Sequence, residues 1–277
     1  MTIDSHQHFW TFDPIRNSWI TDEMSVIQRN FYPEDLQPIL QQNTIDACVA
    51  VQADQSLAET NFLLDLANKN DFIKAVVGWI DLQAENIDEQ LNEWKTEKKL
   101  VGFRHVLQAE PDVEFMLRPS FLRGISKLKN YGFTYDVLIF PKHLVATQNF
   151  VAAFPDQPFV LDHIAKPYIK AGLIDEWERD VKSLAKFENL QCKVSGIITE
   201  ADWKNWTYEQ IKPYLDVVFD AFGTDRIMFG SDWPVCLVAG EYAQVKGIIE
   251  TYTKDFSTLE KTKVFGKNAF RFYGINE

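Results

Sequence analysis

Cysteine is scarce. The three that occur, Cys48, Cys192 and Cys236, are odd in number and far apart, so they form no disulfide framework. No C-x-x-C pair is present for a zinc site, and buried thiols in a reducing compartment are the expected state of all three. Basic charge is also in deficit: 28 Lys plus Arg face 40 Asp plus Glu, for a net charge of -12. Such a chain repels phosphate backbones and anionic bilayers, which excludes nucleic acid and membrane surfaces as partners. Long apolar runs are missing; nothing approaches the roughly 18 consecutive apolar residues of a membrane span. The opening MTIDSHQHFW has neither a basic start nor an apolar stretch, so no signal peptide is expected and the cytoplasm is the expected location. Glycine-rich phosphate loops are absent too, in both the G-x-G-x-x-G and G-x-x-x-x-G-K forms.

What is present is material for a large core. Apolar residues make up 46% of 277, which rules out a disordered chain. One theme repeats: a short apolar or β-branched run, a polar corner, then an amphipathic stretch. The runs read TIDSHQH, IDACVAVQA, KAVVGWID, LVGFRHVLQ, FTYDVLIF, FVLDHIAKP, LQCKVSGI and RIMFGSDWP. Several are nearly continuous rather than alternating, as parallel strands covered on both faces are. Between them, Ile174, Trp177, Val181, Leu184 and Phe187 follow helical spacing, as do Ile87, Leu91 and Trp94, and Ile211, Leu215, Val218 and Phe222. Ser56-x-x-Glu59 and Ser257-x-x-Glu260 have the form of capping boxes, and Pro119-Ser120 opens another helix. Eight such units predict an α/β fold, a (β/α)8 TIM barrel forming a single domain over 1–277. An open doubly wound sheet would carry a nucleotide loop after its first strand, where this chain has His-Gln-His. The long first crossover, Phe9 to Gln42, carries Trp10, Trp19, Phe31 and Tyr32, which predicts an ordered aromatic loop near the mouth.

In such a barrel the C-terminal strand ends converge on one mouth. Those ends offer Asp4, His6 and His8; Gln52; Trp79 and Asp81; Arg104 and His105; Tyr135 and Asp136; Asp162 and His163; Lys193 and Ser195; and Ser231, Asp232 and Trp233. Four of the five histidines lie there. His6 and His8, two apart on an extended strand, face the same way, which suits two imidazoles on one metal or two donors to one carbonyl oxygen. A histidine pair that simply closes the barrel top is the structural alternative. Asp232, in the GSDWP loop, suits a general base on water, or else an Asx-type turn before Pro234. Arg104 offers a fixed positive fork, or an ion pair with Asp81 or Asp136. Tyr135 and Trp79 are placed either under a substrate ring or in the core, and Lys193 in an internal salt bridge. Ser231 lacks a G-x-S-x-G setting, which rules against a serine triad.

The motifs IDSHQHFW, AVQA, VVGWIDL, GFRHVLQ, YDVLIF, VLDHIAKP, CKVSGIITEADW, RIMFGSDWPVCL and FGKNAFRFYG run nearly end to end. Through them the chain resembles the amidohydrolase-superfamily sugar-acid lactonases, of the L-fucono-1,5-lactonase and L-rhamnonolactonase type. The resemblance implies hydrolysis of a cyclic aldonic ester to the free acid. It makes His6, His8, His163, Asp232 and Arg104 catalytic, with His105, Tyr135, Trp79 and Asp81 lining the substrate pocket. It also makes His6, His8, His163 and Asp232 the ligands of one divalent metal such as zinc, while leaving a metal-independent reaction open. The wider superfamily has a strand-four lysine that bridges two metals, and Arg104-His105 stands there instead, against a binuclear centre. The expected partner is a small sugar lactone; assembly into an oligomer is left open. The rival activities are a decarboxylase of the same superfamily and a non-catalytic sugar-binding barrel.

Overall fold

The computed structural model describes residues 1–275; the last two residues of the expected domain lie outside the described residues. Eight parallel strands, β1 (Ile3–Gln7), β2 (Ala47–Val51), β3 (Ile73–Gly78), β4 (Leu100–His105), β5 (Thr134–Val137), β6 (Phe159–Leu161), β7 (Leu190–Val194) and β8 (Ile227–Phe229), lie side by side in chain order. They alternate with eight principal helices: α1 (Pro33–Gln42), α2 (Leu57–Lys69), α3 (Ile87–Trp94), α4 (Pro119–Leu128), α5 (Leu144–Ala152), α6 (Asp175–Leu184), α7 (Tyr208–Phe222) and α8 (Tyr242–Tyr252). Two short ones follow, α9 (Thr258–Thr262) and α10 (Asn268–Tyr273). The (β/α)8 barrel read from the apolar runs is the observed fold.

Local chemistry accounts for the elements. Ser56 Oγ accepts from the Glu59 N–H at 3.1 Å to start α2, and Ser257 and Glu260 close a reciprocal box on α9. Pro119 sits in the first turn of α4, where its missing N–H costs nothing. The spaced apolar stripes bury Trp177, Val181 and Leu184 of α6 and Ile211, Leu215, Val218 and Phe222 of α7 against the sheet.

Inside the barrel, Ile3, Val49, Val51, Val77, Val160 and Met228 form an apolar layer, sealed from below by Phe270, Phe272 and Tyr273 of α10. Above it the interior turns polar. Closure is made by β1 with the end of β8 and the segment just after it: Ser5 Oγ donates to the Phe229 carbonyl at 2.6 Å, and Gln7 bridges Trp233. Among the described residues no helix is long and apolar enough to cross a membrane.

Candidate active site

Strand β1 has an irregular register between Asp4 and Gln7, where a bulge re-aims side chains. His6, within that stretch, and His8, just past it, turn to one side, their Nε2 atoms 3.2 Å apart, while Gln7 between them reaches Cys48 Sγ on the opposite side. Asp232 arrives from the loop after β8, at φ 58° and ahead of a cis Trp233–Pro234 bond. Its Oδ1 lies 3.3 Å from His8 Nε2 and 3.8 Å from the Nε2 atoms of both His6 and His163. His163 follows β6 in a left-handed turn in which His163, Ile164, Ala165 and Lys166 all have positive φ, a conformation that costs non-glycine residues energy. Its Nδ1 is hydrogen-bonded to Ser195 Oγ at 2.9 Å. Gly196, at φ 58°, packs so closely that a Cβ there would lie 2.5 Å from His163 Nδ1. His8, His163, Asp232 and Arg104 line a cavity of about 340 Å³ at the C-terminal mouth, and His6 lies buried behind them. A larger cleft of about 540 Å³ lies between Met1, Asp46 and Lys246, and no histidine lines it.

A buried ion network lies directly beneath. Arg104 pairs with Asp162 at 3.0 Å, and its other nitrogen is held by the backbone carbonyl of Gln52. Lys193, fully buried, pairs with Asp136, stands 3.1 Å from Asp162 and reaches His6 Nδ1 at 3.2 Å. Tyr273 of α10 donates to Asp136 from below at 2.9 Å. Lys193 thus sits in an internal salt bridge, as expected; the partner of Arg104 is Asp162 rather than Asp81 or Asp136.

The electrostatics follow from this packing. Burial pushes the Asp232 carboxyl up, but His163, His8 and Lys166 outweigh it and bring its pKa below the ordinary value. Burial drives the pKa values of His6 and His163 well below the ordinary histidine range, against the pull of Asp162 on His6 and of Asp232 on His163. The His8 tautomer is set by geometry: its Nδ1 lies 2.7 Å from the Val51 carbonyl, which can only accept, so Nδ1 carries the proton. A neutral His8 then presents a lone pair at Nε2 to a carboxylate oxygen 3.3 Å away. Two lone pairs at that distance require a cation between them, either a proton or a metal ion. Tetrahedral ligands at about 2.0–2.1 Å from zinc lie roughly 3.3 Å from one another, and the 3.2, 3.3 and 3.8 Å separations here fit that set.

A model of the amidohydrolase family matches residues 3–275. The chain belongs to the amidohydrolase family. It is similar to the L-fucono-1,5-lactonase of Burkholderia multivorans, 39% identical over 100% of this chain and 97% of the relative. It is also similar to that of Burkholderia ambifaria, 32% identical over 99% and 96%. A solved Burkholderia multivorans amidohydrolase with bound zinc superposes with a TM-score of 0.97, at 39% identity and over 100% of both chains.

In this amidohydrolase His6, His8, His163, Asp232 and Arg104 come together as expected. The four expected pocket residues do not. Tyr135 is fully buried among Phe121, Phe150 and Phe159 on the helix side of β5, because its neighbour Asp136 takes the inward position. His105, next to inward-facing Arg104, likewise points outward, stacked on Phe115 at 5.0 Å and hydrogen-bonded to Glu110 at 2.7 Å. Trp79 is held through its backbone by Thr60, and its side chain lies outside the cavity lining. Asp81 is exposed and accepts the Gln83 N–H at 2.9 Å. The wall is instead made by Arg16, Ser18 and Trp19 of the first crossover, Asp54 and Gln55 after β2, and Lys166. Only the aromatic character of that crossover signalled its place at the mouth.

Proposed function

We propose that this amidohydrolase opens a sugar-acid lactone to the free aldonic acid, with L-fucono-1,5-lactone as the substrate to try first. The observation that carries the reading is the meeting of Asp232 Oδ1 with His6, His8 and His163 at 3.3–3.8 Å at the wall of one mouth cavity that Arg104 also lines. Two full-length relatives named as L-fucono-1,5-lactonases support it.

In this reading Asp232, ionised at neutral pH, takes a proton from the water that attacks the lactone carbonyl. Arg104 is a buried guanidinium at the cavity wall whose charge cannot change, and its Nη1 stands 3.2 Å from His6 Nε2. It therefore stabilises the oxyanion that forms as the carbonyl becomes tetrahedral. Ser195 can accept from or donate to His163 Nδ1, so the His163 ring can present either a donor or a lone pair at Nε2. Collapse breaks the ring C–O bond, and the proton held by Asp232 passes to the departing alkoxide. The new carboxylate leaves from a protein that carries net negative charge.

His6, His8, His163 and Asp232 would also hold one divalent ion such as zinc. When bound, it would supply Lewis acidity toward the carbonyl and the attacking water. The zinc in the solved Burkholderia multivorans relative supports that assignment. Residence in the cytoplasm belongs to the same reading and is supported by three buried, unpaired cysteines.

A panel of aldonolactones followed with a pH indicator, with and without chelator, tests the proposal. Acid release on at least one lactone is expected. No acid from any of them, or release of CO2 from aromatic acids, overturns it.

A further inference from the structure

We infer that Trp19, on the crossover between β1 and α1, is the platform on which the sugar ring of the substrate stacks, and that it gives the site its preference for a six-membered ring. The inference rests on the lactonase reading and names the feature that selects the ring. Trp19 is the only indole or phenyl ring among the described residues lining the catalytic cavity, and it is 39% exposed. The indole shares its cavity lining with Asp232, and the part left open to solvent is a large apolar surface.

The ring is held in place. It meets Trp10 edge to face at 5.8 Å and 87°. Trp10 is itself buried, 1% exposed, with its Nε1–H on the Arg29 carbonyl at 2.8 Å and its backbone paired to Phe31. Phe31 then packs at 5.1 Å and 88° on Trp233, the residue after Asp232. Four aromatic side chains thus tie the cavity wall to the loop that carries the carboxylate, so the distance from platform to Asp232 is set by packed rings.

A pyranose lactone has the complementary surface. Its ring C–H groups, made slightly positive by neighbouring oxygens, form one apolar face that suits the negative face of an indole. Its hydroxyls project from the ring edge, where Arg16, Ser18, Asp54 and Lys166 supply donors and acceptors. A planar five-membered lactone offers fewer C–H groups to that face.

Steady-state kinetics on L-fucono-1,5-lactone and its 1,4-isomer, together with saturation-transfer NMR on L-fucose, test the platform. L-fucose has the pyranose ring without the ester, so it reads the contact without turnover. Trp19→Ala is expected to raise KM for the 1,5-lactone about tenfold, a loss that exceeds its effect on kcat, and to narrow the preference over the 1,4-isomer. Trp19→Phe, which keeps an aromatic face, is expected to recover most of the loss. Saturation transfer to the L-fucose ring protons is expected with the parent protein and lost in Trp19→Ala. A KM within about twofold of the parent in Trp19→Ala, undiminished transfer in that variant, or no transfer from the parent overturns the platform. Saturation transfer through Trp19 in a parent protein that hydrolyses no lactone would overturn the lactonase reading while sustaining the platform.

Discussion

The backbone N–H of Asp232 donates to the carbonyl of His6 at 2.8 Å, across the seam where the barrel closes. The next bond along the seam runs from the His8 N–H to the Trp233 carbonyl at 2.7 Å. The hydrogen bonds that complete the cylinder are therefore the ones that set the carboxylate against the histidine pair. Main-chain atoms make both bonds, so side-chain substitutions at these positions leave the seam intact.

Replacing Asp232 by Asn should accordingly preserve the fold and remove the base. Loss of a positioned general base is expected to lower kcat by roughly 10²–10⁴-fold. Circular dichroism and the pH-indicator assay measure the two effects separately. Parent-like turnover in this variant would mean that another group accepts the proton.

Removal of His6 and His8 together should abolish zinc retention, because these rings are two of the three donors, with Asp232, that lie close enough together to share one ion. Elemental analysis after dialysis against buffered zinc measures it. Full occupancy in the double Ala variant would place any metal elsewhere.

Arg104→Met should reduce kcat by about 10²–10³-fold, as loss of an oxyanion donor does at other acyl-transfer sites. The same change leaves Asp162 short of a buried partner, and breaking a buried pair costs about 3–5 kcal/mol. Adding Asp162→Asn should restore part of the stability and none of the rate. A double-mutant cycle by chemical denaturation and kinetics separates the two roles; recovered activity in the double variant would contradict the assignment.

Glu59, buried at the start of α2, has its pKa raised to about 7 by burial, against the ordinary 4.5. A carboxyl raised in the folded state favours folding while protonated, so its contribution is complete below pH 4.5 and is lost as pH rises toward 7. Glu59→Gln keeps an acceptor for the Ala53 N–H and cannot ionise. Relative to that variant, the parent should lose on the order of 3 kcal/mol between pH 4.5 and pH 8. Parallel pH dependence of urea midpoints in the two proteins would place Glu59 in a more solvated setting.

Gly196 and Gly132 make a matched pair. Both have positive φ, 58° and 81°, but only a Cβ at Gly196 would strike His163 and Asp232; at Gly132 nothing lies within 4 Å. Ala at either position should cost about 1 kcal/mol or more in backbone strain. Activity should fall by at least about tenfold only in Gly196→Ala, where the His163 ring is displaced. Equal kcat in the two variants would show that the ring position tolerates movement.

Much of this arrangement was legible before any coordinates. Parallel strands covered on both faces read as apolar runs, and all eight were found where such runs occur. The H-x-H pair survives translation into structure because a two-residue period returns to one face, even though the β1 irregularity between Asp4 and Gln7 takes in His6. His105 and Tyr135 failed for the same geometric reason. Each adjoins an inward-facing residue, Arg104 or Asp136, and a shift of one position reverses the face. Trp79 and Asp81 lie beyond the end of β3, where the pleat no longer aims side chains at the axis.

The order of residues along the chain determined which segments become strands and helices, since apolar periodicity and caps act over a few neighbours. It also determined which side chains near the strand ends could do chemistry. Only the closed barrel decided that Arg104 answers Asp162, that Lys193 lies under His6, and that a crossover tryptophan walls the cavity. The first two pairings join residues 58 and 187 positions apart. Their distances depend on strand register and closure, which are cooperative properties of all eight strands packed together.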